Sequence, residues 1–474
     1  MSPGFIDMHG HTDHYFCIDP QSSSKISQGV TTEVCGNCGY SPFLLTGHFK
    51  KHFQNELKAY GLKEDWKNLA SFSQLVTSLK PAMNWMTLVG SGTLRLAAMN
   101  HENRTPNSDE LKWMKHKLEK AMDEGAVGLS SGLIYTPGCF AKTDELVTLA
   151  KIVSKKNGIY ATHMRSEGDH LLESVRESIR ISRQAKLPLE ISHLKTAGEK
   201  NWGKIDSLFE LLEKSILKGD DITWDRYPYA ASFTSLDTYL PKHLFNGGDL
   251  QAVIKLQKPA LRKKYIQFLD NIGSRFSLTL IANLPGKSNQ QWIGRTLAEC
   301  ALLSKKSIGT FVIDLLCEEK MQVNVIFFSM SEENMDRILL HPKSMIGSDA
   351  SARSRNGKTF LPVVHPRTYG TFPKFLKRYV FGKNPLLSLE EAIYKMTGFP
   401  AQRLGLKKRG LIDKNFYADL VLFNPKTLKD RASFQKPTLD STGIKMVLVN
   451  GKIVLDEGKE TNAGPGIFIR HGES

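Results

Sequence analysis

Nine short runs rich in apolar or β-branched residues recur along this chain, and stretches with helical periodicity separate them. The runs are 5–8, 30–35, 86–90, 127–130, 159–162, 187–192, 221–225, 324–328 and 345–347. Short strands alternating with amphipathic helices call for a parallel sheet with crossover helices. Nine is one more than an eight-stranded (β/α)8 barrel needs, so one run is expected in an insertion or at an edge. Expected helices over 109–124, 144–157 and 205–218 each stop at a glycine, Gly125, Gly158 and Gly219. Glycine just past a helix supplies the left-handed cap. Ser388-Leu-Glu-Glu391 is a capping box expected to open a helix over 392–396.

Two segments break this rhythm. Residues 234–320 are long and mixed and sit between two late strands, which reads as an insertion over one end of the barrel, acting as a lid. From about residue 406 the pattern turns to strands, at 418–423 and 446–449. Asn450-Gly451 then signals a type I′ hairpin leading into 452–455. The expected organisation is a catalytic α/β barrel over 1–405, carrying the 234–320 insertion, and a small β domain over 406–474.

Composition narrows the class. The 474 residues are 41% hydrophobic and 24% charged, a globular balance. There is no apolar run of about 18 residues, so no membrane span is expected. The first residues have neither a basic nor an apolar signal region. Six cysteines are too few for a disulfide scaffold and point to a reducing, cytoplasmic setting. The net charge of +16 is scattered, with only short basic runs at 262–264 and 407–409, so a solvated basic surface is expected rather than a nucleic-acid partner.

The chemistry lies at the strand ends. Phe-Ile-Asp-Met runs into His9-Gly10-His11, the second run leads to Cys38, the fifth to His163 and the sixth to His193. The last leads to Ser348-Asp349. In a (β/α)8 barrel all C-terminal strand ends meet at one mouth, so residues far apart in sequence converge there. Imidazole, thiolate and carboxylate are zinc ligands, and an open catalytic site needs about three of them. Six such groups suit one full site and part of a second. Taken singly, each has a plainer reading: a packed histidine, a turn aspartate. Cys35-Gly-Asn-Cys38 also matches a redox dithiol spacing, but no thioredoxin-like fold follows it. Cys35 is expected inside its strand as a small hydrophobe.

His9-x-His11, His163, His193 and Asp349 resemble the metal-dependent amidohydrolase superfamily. Many of its members place a carboxylated lysine after the fourth strand, where this chain has Ser130-Ser131-Gly132. Gly36-Asn-Cys38-Gly resembles instead the N-acyl-D-amino-acid deacylase (D-aminoacylase) branch, in which a cysteine takes the lysine's role. Phrases from Pro3-Gly-Phe-Ile-Asp7 to Tyr369-Gly-Thr-Phe-Pro373 match in order along nearly the whole chain. Ser91 stands where that branch often has histidine, and residues 350–364 are longer and more basic than in its simplest members.

The resemblance implies a tight zinc at Cys38, His163 and His193 and a weaker second site at His9, His11 and Asp349. It also implies that Asp349 moves the proton, and that Lys195, Tyr227 and Arg367 surround the substrate carboxylate. The implied reaction is zinc-dependent hydrolysis of N-acyl-D-amino acids, small-molecule substrates. Members usually begin some 50 residues earlier, with strands that pair with the C-terminal β domain, so half of that sheet is expected to be missing. Two alternatives stand beside this reading: a cyclic-amide hydrolase of the dihydroorotase or hydantoinase kind, and a non-catalytic basic binding protein on a decayed barrel.

Overall fold

A computed structural model describes residues 1–63 and 66–473. Eight parallel strands form the central sheet: β1 Phe5–Asp7, β2 Val30–Cys35, β3 Asn84–Gly90, β4 Gly128–Gly132, β5 Ile159–His163, β6 Leu189–Ile191, β7 Ile222–Arg226 and β8 Ser344–Ile346. They pair in chain order from β1 to β8. Met8 N–H donates to Ile346 O, and a parallel bridge joins Gly10 to Ala350, so the last strand returns to the first. The strands are almost wholly buried, as parallel strands covered by helices on their outer face must be.

Helices fill the crossovers, and their ends follow local chemistry. Asn107 and Glu110 make a reciprocal capping box on Ser108–Asp123, which ends before Gly125 at φ +107°. Ile205–Leu217 ends before Gly219 at φ +92°. The helix Thr143–Ser154 departs from expectation, because its left-handed residue is Asn157, at φ +58°, and not Gly158. Gly158 answers a packing need instead: a Cβ there would lie 2.7 Å from the Val153 side chain. The Ser388–Glu391 capping box opens its helix immediately, at Leu389, rather than at Ala392.

The surplus run, 324–328, lies outside the barrel. Asn324–Phe327 is the middle strand of an antiparallel sheet, between Thr279–Asn283 and Ser232–Ser235. Four helices between β7 and β8 pack on this sheet around their own core, which includes Phe245, Leu256, Phe276, Leu316 and Val325. A second antiparallel sheet joins Ser2–Pro3 to Leu420–Phe423, Ile444–Val449, Lys452–Asp456 and Lys459–Glu460. At its hairpin Asn450 and Gly451 both have positive φ, +50° and +78°, as a type I′ turn requires. No helix among the described residues is long and apolar enough to cross a membrane.

Candidate metal centre

Each sequence-selected ligand stands at or just beyond the end of a strand, and the backbone that presents three of them is unusual. Cys38, His193 and Asp349 all adopt positive φ, +52°, +37° and +52°. Non-glycine residues held in this region cost about 1–3 kcal/mol each and cluster at functional sites. The turn carrying Cys38 is braced from β4. Ser130 Oγ donates to Gly36 O at 2.5 Å and accepts from Gly39 N–H at 3.1 Å. Asn37 closes the turn on Val34 O at 2.9 Å. The turn also lies directly on the end of β4: a Cβ on Gly132 would fall 2.0 Å from Cys38 O, so only glycine fits there.

The Cys38 sulfur is the hub. His9 Nε2 lies 3.4 Å from it, and His163 Nδ1 and His193 Nε2 lie 3.6 Å from it. Tetrahedral zinc with sulfur at about 2.3 Å and nitrogen at about 2.0–2.1 Å separates those two ligands by about 3.5–3.6 Å. Donor atoms of His9, Cys38, His193 and Asp349 all lie within 4.8 Å of one another, and so do those of His163, Glu167 and His193. His11 Nε2 reaches Asp349 Oδ1 at 3.2 Å. His163 Nε2 is buried without a hydrogen-bond partner. All six predicted ligands therefore meet at one mouth, and the sulfur–nitrogen spacings and donor types around Cys38 fit zinc.

The charges are tightly arranged. Burial pushes the Asp349 carboxyl up, but Arg367, His193 and His11 outweigh it and hold the group well below the usual carboxylate range. Burial pushes the Cys38 thiol up as well, and the imidazoles around it bring it well below its ordinary value. Burial depresses His193, and Lys195 adds to this. Glu167 and Asp349 more than compensate, raising it to about 9. His163 stays below its ordinary value, chiefly through burial.

Two functional residues escaped the sequence reading. Asp225, at the end of β7, takes His9 Nδ1 at 3.1 Å and the His193 backbone N–H at 3.0 Å. It follows the same pattern of strand then carboxylate as the selected residues, so the signal was present. Glu167 follows His163 by four residues and lies 2.8 Å from His193 Nδ1. Its place in an irregular loop carried no such pattern. A carboxylate behind a ligating histidine fixes the ring's tautomer and orientation.

The three residues expected around a carboxylate lie on the β6–β8 side. Lys195 Nζ sits between Glu167 Oε1, at 2.5 Å, and His193 Nδ1, at 2.8 Å. Arg367 Nη1 lies 2.8 Å from Asp349 Oδ2, without the alignment of a hydrogen bond. The Arg367 guanidinium stacks 4.6 Å over the Tyr227 ring, and the Tyr227 hydroxyl is buried without a partner. Above them opens a cavity of about 480 Å3 lined by His11, Cys38, Asp349 and Arg367 and by a wall of apolar groups.

Comparison with known proteins agrees with this geometry. Residues 347–455 match the amidohydrolase family. The chain is 34% identical to a D-aminoacylase of Alcaligenes xylosoxydans xylosoxydans over 98% of its own length and 86% of the relative's. It is 33% identical to an N-acyl-D-aspartate deacylase of the same organism, over 100% and 86%. The crystal structure of an N-acyl-D-glutamate deacylase from Bordetella bronchiseptica, complexed with zinc and a phosphonate mimic of the tetrahedral intermediate, superposes with a TM-score of 0.82. That match has 30% identity and covers 99% of this chain and 88% of the other. With a cysteine at the hub of its histidines where many amidohydrolases use a lysine, the chain belongs to the D-aminoacylase family of N-acyl-D-amino-acid deacylases, a branch of the amidohydrolases.

Proposed function

We propose that this chain is a zinc enzyme that hydrolyses the amide bond of N-acyl-D-amino acids, releasing a carboxylic acid and a free D-amino acid. One observation carries the reading: a thiolate with three imidazole nitrogens at 3.4–3.6 Å beside a carboxylate held ionised by arginine. Cys38, His163 and His193 would hold the tighter zinc, and His9, His11 and Asp349 a second, weaker one. When bound, zinc polarises a carbonyl and lowers the pKa of water to about 7.

The protein's own groups do the rest. Asp349 accepts the proton of the attacking water. It then passes that proton to the amine nitrogen, because a C–N bond breaks readily only if the amine leaves neutral. Asp225 and Glu167 keep His9 and His193 aimed. Lys195 donates to Glu167 Oε1, which also takes His193 Nδ1–H, and keeps donors for the substrate carboxylate. Arg367 presents a planar fork to the same carboxylate, and the unpartnered Tyr227 hydroxyl completes the set. Selection for the D enantiomer is supported by the deacylase relatives.

A substrate panel tests the reading. Zinc-loaded protein is expected to release amine from N-acetyl-D-amino acids and far more slowly from their L enantiomers. It should also be slow on N-acetylamines without a carboxylate, which would leave buried cations unpaired. Equal rates on all three classes would overturn it.

A further inference from the structure

The cavity at the barrel mouth has two unlike sides. Its volume of about 480 Å3 lies in the range of sites for drug-sized ligands and exceeds what an N-acetyl amino acid needs. Arg367, after β8, lines one side; Tyr227, after β7, stacks against it, and Lys195 follows β6. The opposite wall follows β2 and β3, which stand across the mouth in a barrel whose strands pair in chain order. Apart from His52, Thr93 and His101, that wall is apolar. Phe49 and Phe53, one turn apart on the helix Gly47–Ala59, stack with centroids 5.3 Å apart and planes 12° apart. Tyr40 meets both rings edge-on, at 6.1 and 6.2 Å. Leu96, on the helix Ser91–Met99, closes the box. His101 on the same wall adds no charge near neutral pH, because burial, helped by His52, lowers it to about 4.

We propose that this box is an acyl subsite, that the enzyme prefers N-acyl-D-amino acids with bulky apolar acyl groups, and that Phe49, Phe53 and Leu96 set that preference. The inference rests on the deacylase reading above, which turns the substrate carboxylate toward β6–β8. The carboxylate and the acyl chain lie on opposite sides of the scissile amide. With the carboxylate toward Arg367 and the carbonyl beside Cys38, the acyl carbons run toward Tyr40, two residues beyond Cys38. The amino-acid side chain has a different wall, made by Tyr135 after β4 and by Phe233 and Thr234 of the insertion.

Wild-type, zinc-loaded enzyme is assayed on N-acetyl-, N-hexanoyl- and N-phenylacetyl-D-leucine. The two larger acyl groups are expected to raise kcat/KM at least about tenfold over acetyl, the scale of added apolar contact in a fitted pocket. A second arm keeps the acetyl group and replaces leucine by alanine or phenylalanine. A gain confined to that arm assigns the box to the side chain and overturns the proposal, as does a flat or falling response to acyl size. Leu96→Trp, which fills the box, should bring the hexanoyl-to-acetyl ratio close to one. Phe53→Leu, which enlarges it, should move the optimum to longer chains. An unchanged ratio in whichever variant folds counts against the subsite. Zinc-bound enzyme that turns over no N-acyl-D-leucine would instead overturn the deacylase reading and this inference with it, whereas acetyl turnover without an acyl-size effect leaves that reading standing.

Discussion

Two layers of the same barrel treat buried charge in opposite ways. Beneath the mouth, Lys25 is fully buried, and its ammonium meets Asp7 Oδ2 at 2.7 Å, Ser348 Oγ at 2.8 Å and Glu33 Oε2 at 3.0 Å. Asp7 also takes the backbone N–H groups of His9 and Ser348, at 3.2 and 2.8 Å, and Glu33 takes Thr12 N–H and Cys35 Sγ. At the mouth, His163 Nε2 and Tyr227 Oη are buried without hydrogen-bond partners, and Arg367 Nη1 has only a misaligned ion pair with Asp349 Oδ2. Leaving a buried polar group unpaired costs roughly 1–3 kcal/mol, so native proteins do it sparingly. The satisfied layer ties β1, β2 and β8 together, and the unsatisfied one keeps groups available for a ligand.

The largest expected effect strikes the mouth. Asp349→Asn should keep the fold and the tight zinc but lower kcat by about 10² or more, the usual scale for a general acid–base. Steady-state kinetics alongside zinc content and circular dichroism would check this, and near-normal kcat would show that another group moves the proton.

The two cysteines of Cys35-Gly-Asn-Cys38 belong to different layers. Cys38→Ala should lose most of the zinc and activity. Cys35→Ala, which removes only a thiol bonded to Glu33 at 3.2 Å, should lose little. Equal zinc content in the two variants would erase the distinction.

Lys25→Met attacks the lower layer. It leaves Asp7 and Glu33 buried without their cation, for which about 3–5 kcal/mol of destabilisation is expected. Denaturant unfolding would measure it. A loss under 1 kcal/mol would mean that these carboxylates are held by their other donors alone.

The mildest change concerns Glu190 on β6, one strand from Asp225. Burial, and then Asp225, raise its pKa to about 8, and its Oε1 has no partner. An acid whose folded pKa lies above its ordinary value binds more protons folded than unfolded. Its stabilising contribution is therefore complete below about pH 4.5 and is lost as pH rises through about 8. Glu190→Gln should flatten that decline, so its unfolding free energy should gain on wild type between pH 5 and 9. Parallel stability curves across that range would show that Glu190 titrates normally.

Much of the candidate site was legible because a simple rule generates it. A strand that ends in a metal-capable side chain is a local pattern, and in a parallel barrel all such ends share one mouth. Asp225 obeys that rule and went unread because its role is to hold His9, 216 residues away. Glu167 sits in a loop whose path no periodicity reports. The run 324–328 does form a strand, over Asn324–Phe327, but periodicity cannot tell a barrel strand from the middle of an insertion sheet, since both are short and apolar.

The sequence by itself determined what depends on neighbours along the chain. That includes the alternation of strands and helices, the caps at Asn107 and Ser388, the Asn450-Gly451 turn and the inventory of ligands at strand ends. Only the tertiary structure decided that Cys38 would stand at the hub of His9, His163 and His193, with Ser130 bracing its turn and Arg367 on Asp349. Those relations span from 91 to more than 150 residues in several cases. They come from barrel closure, which sets distances between strand ends irrespective of their separation along the chain.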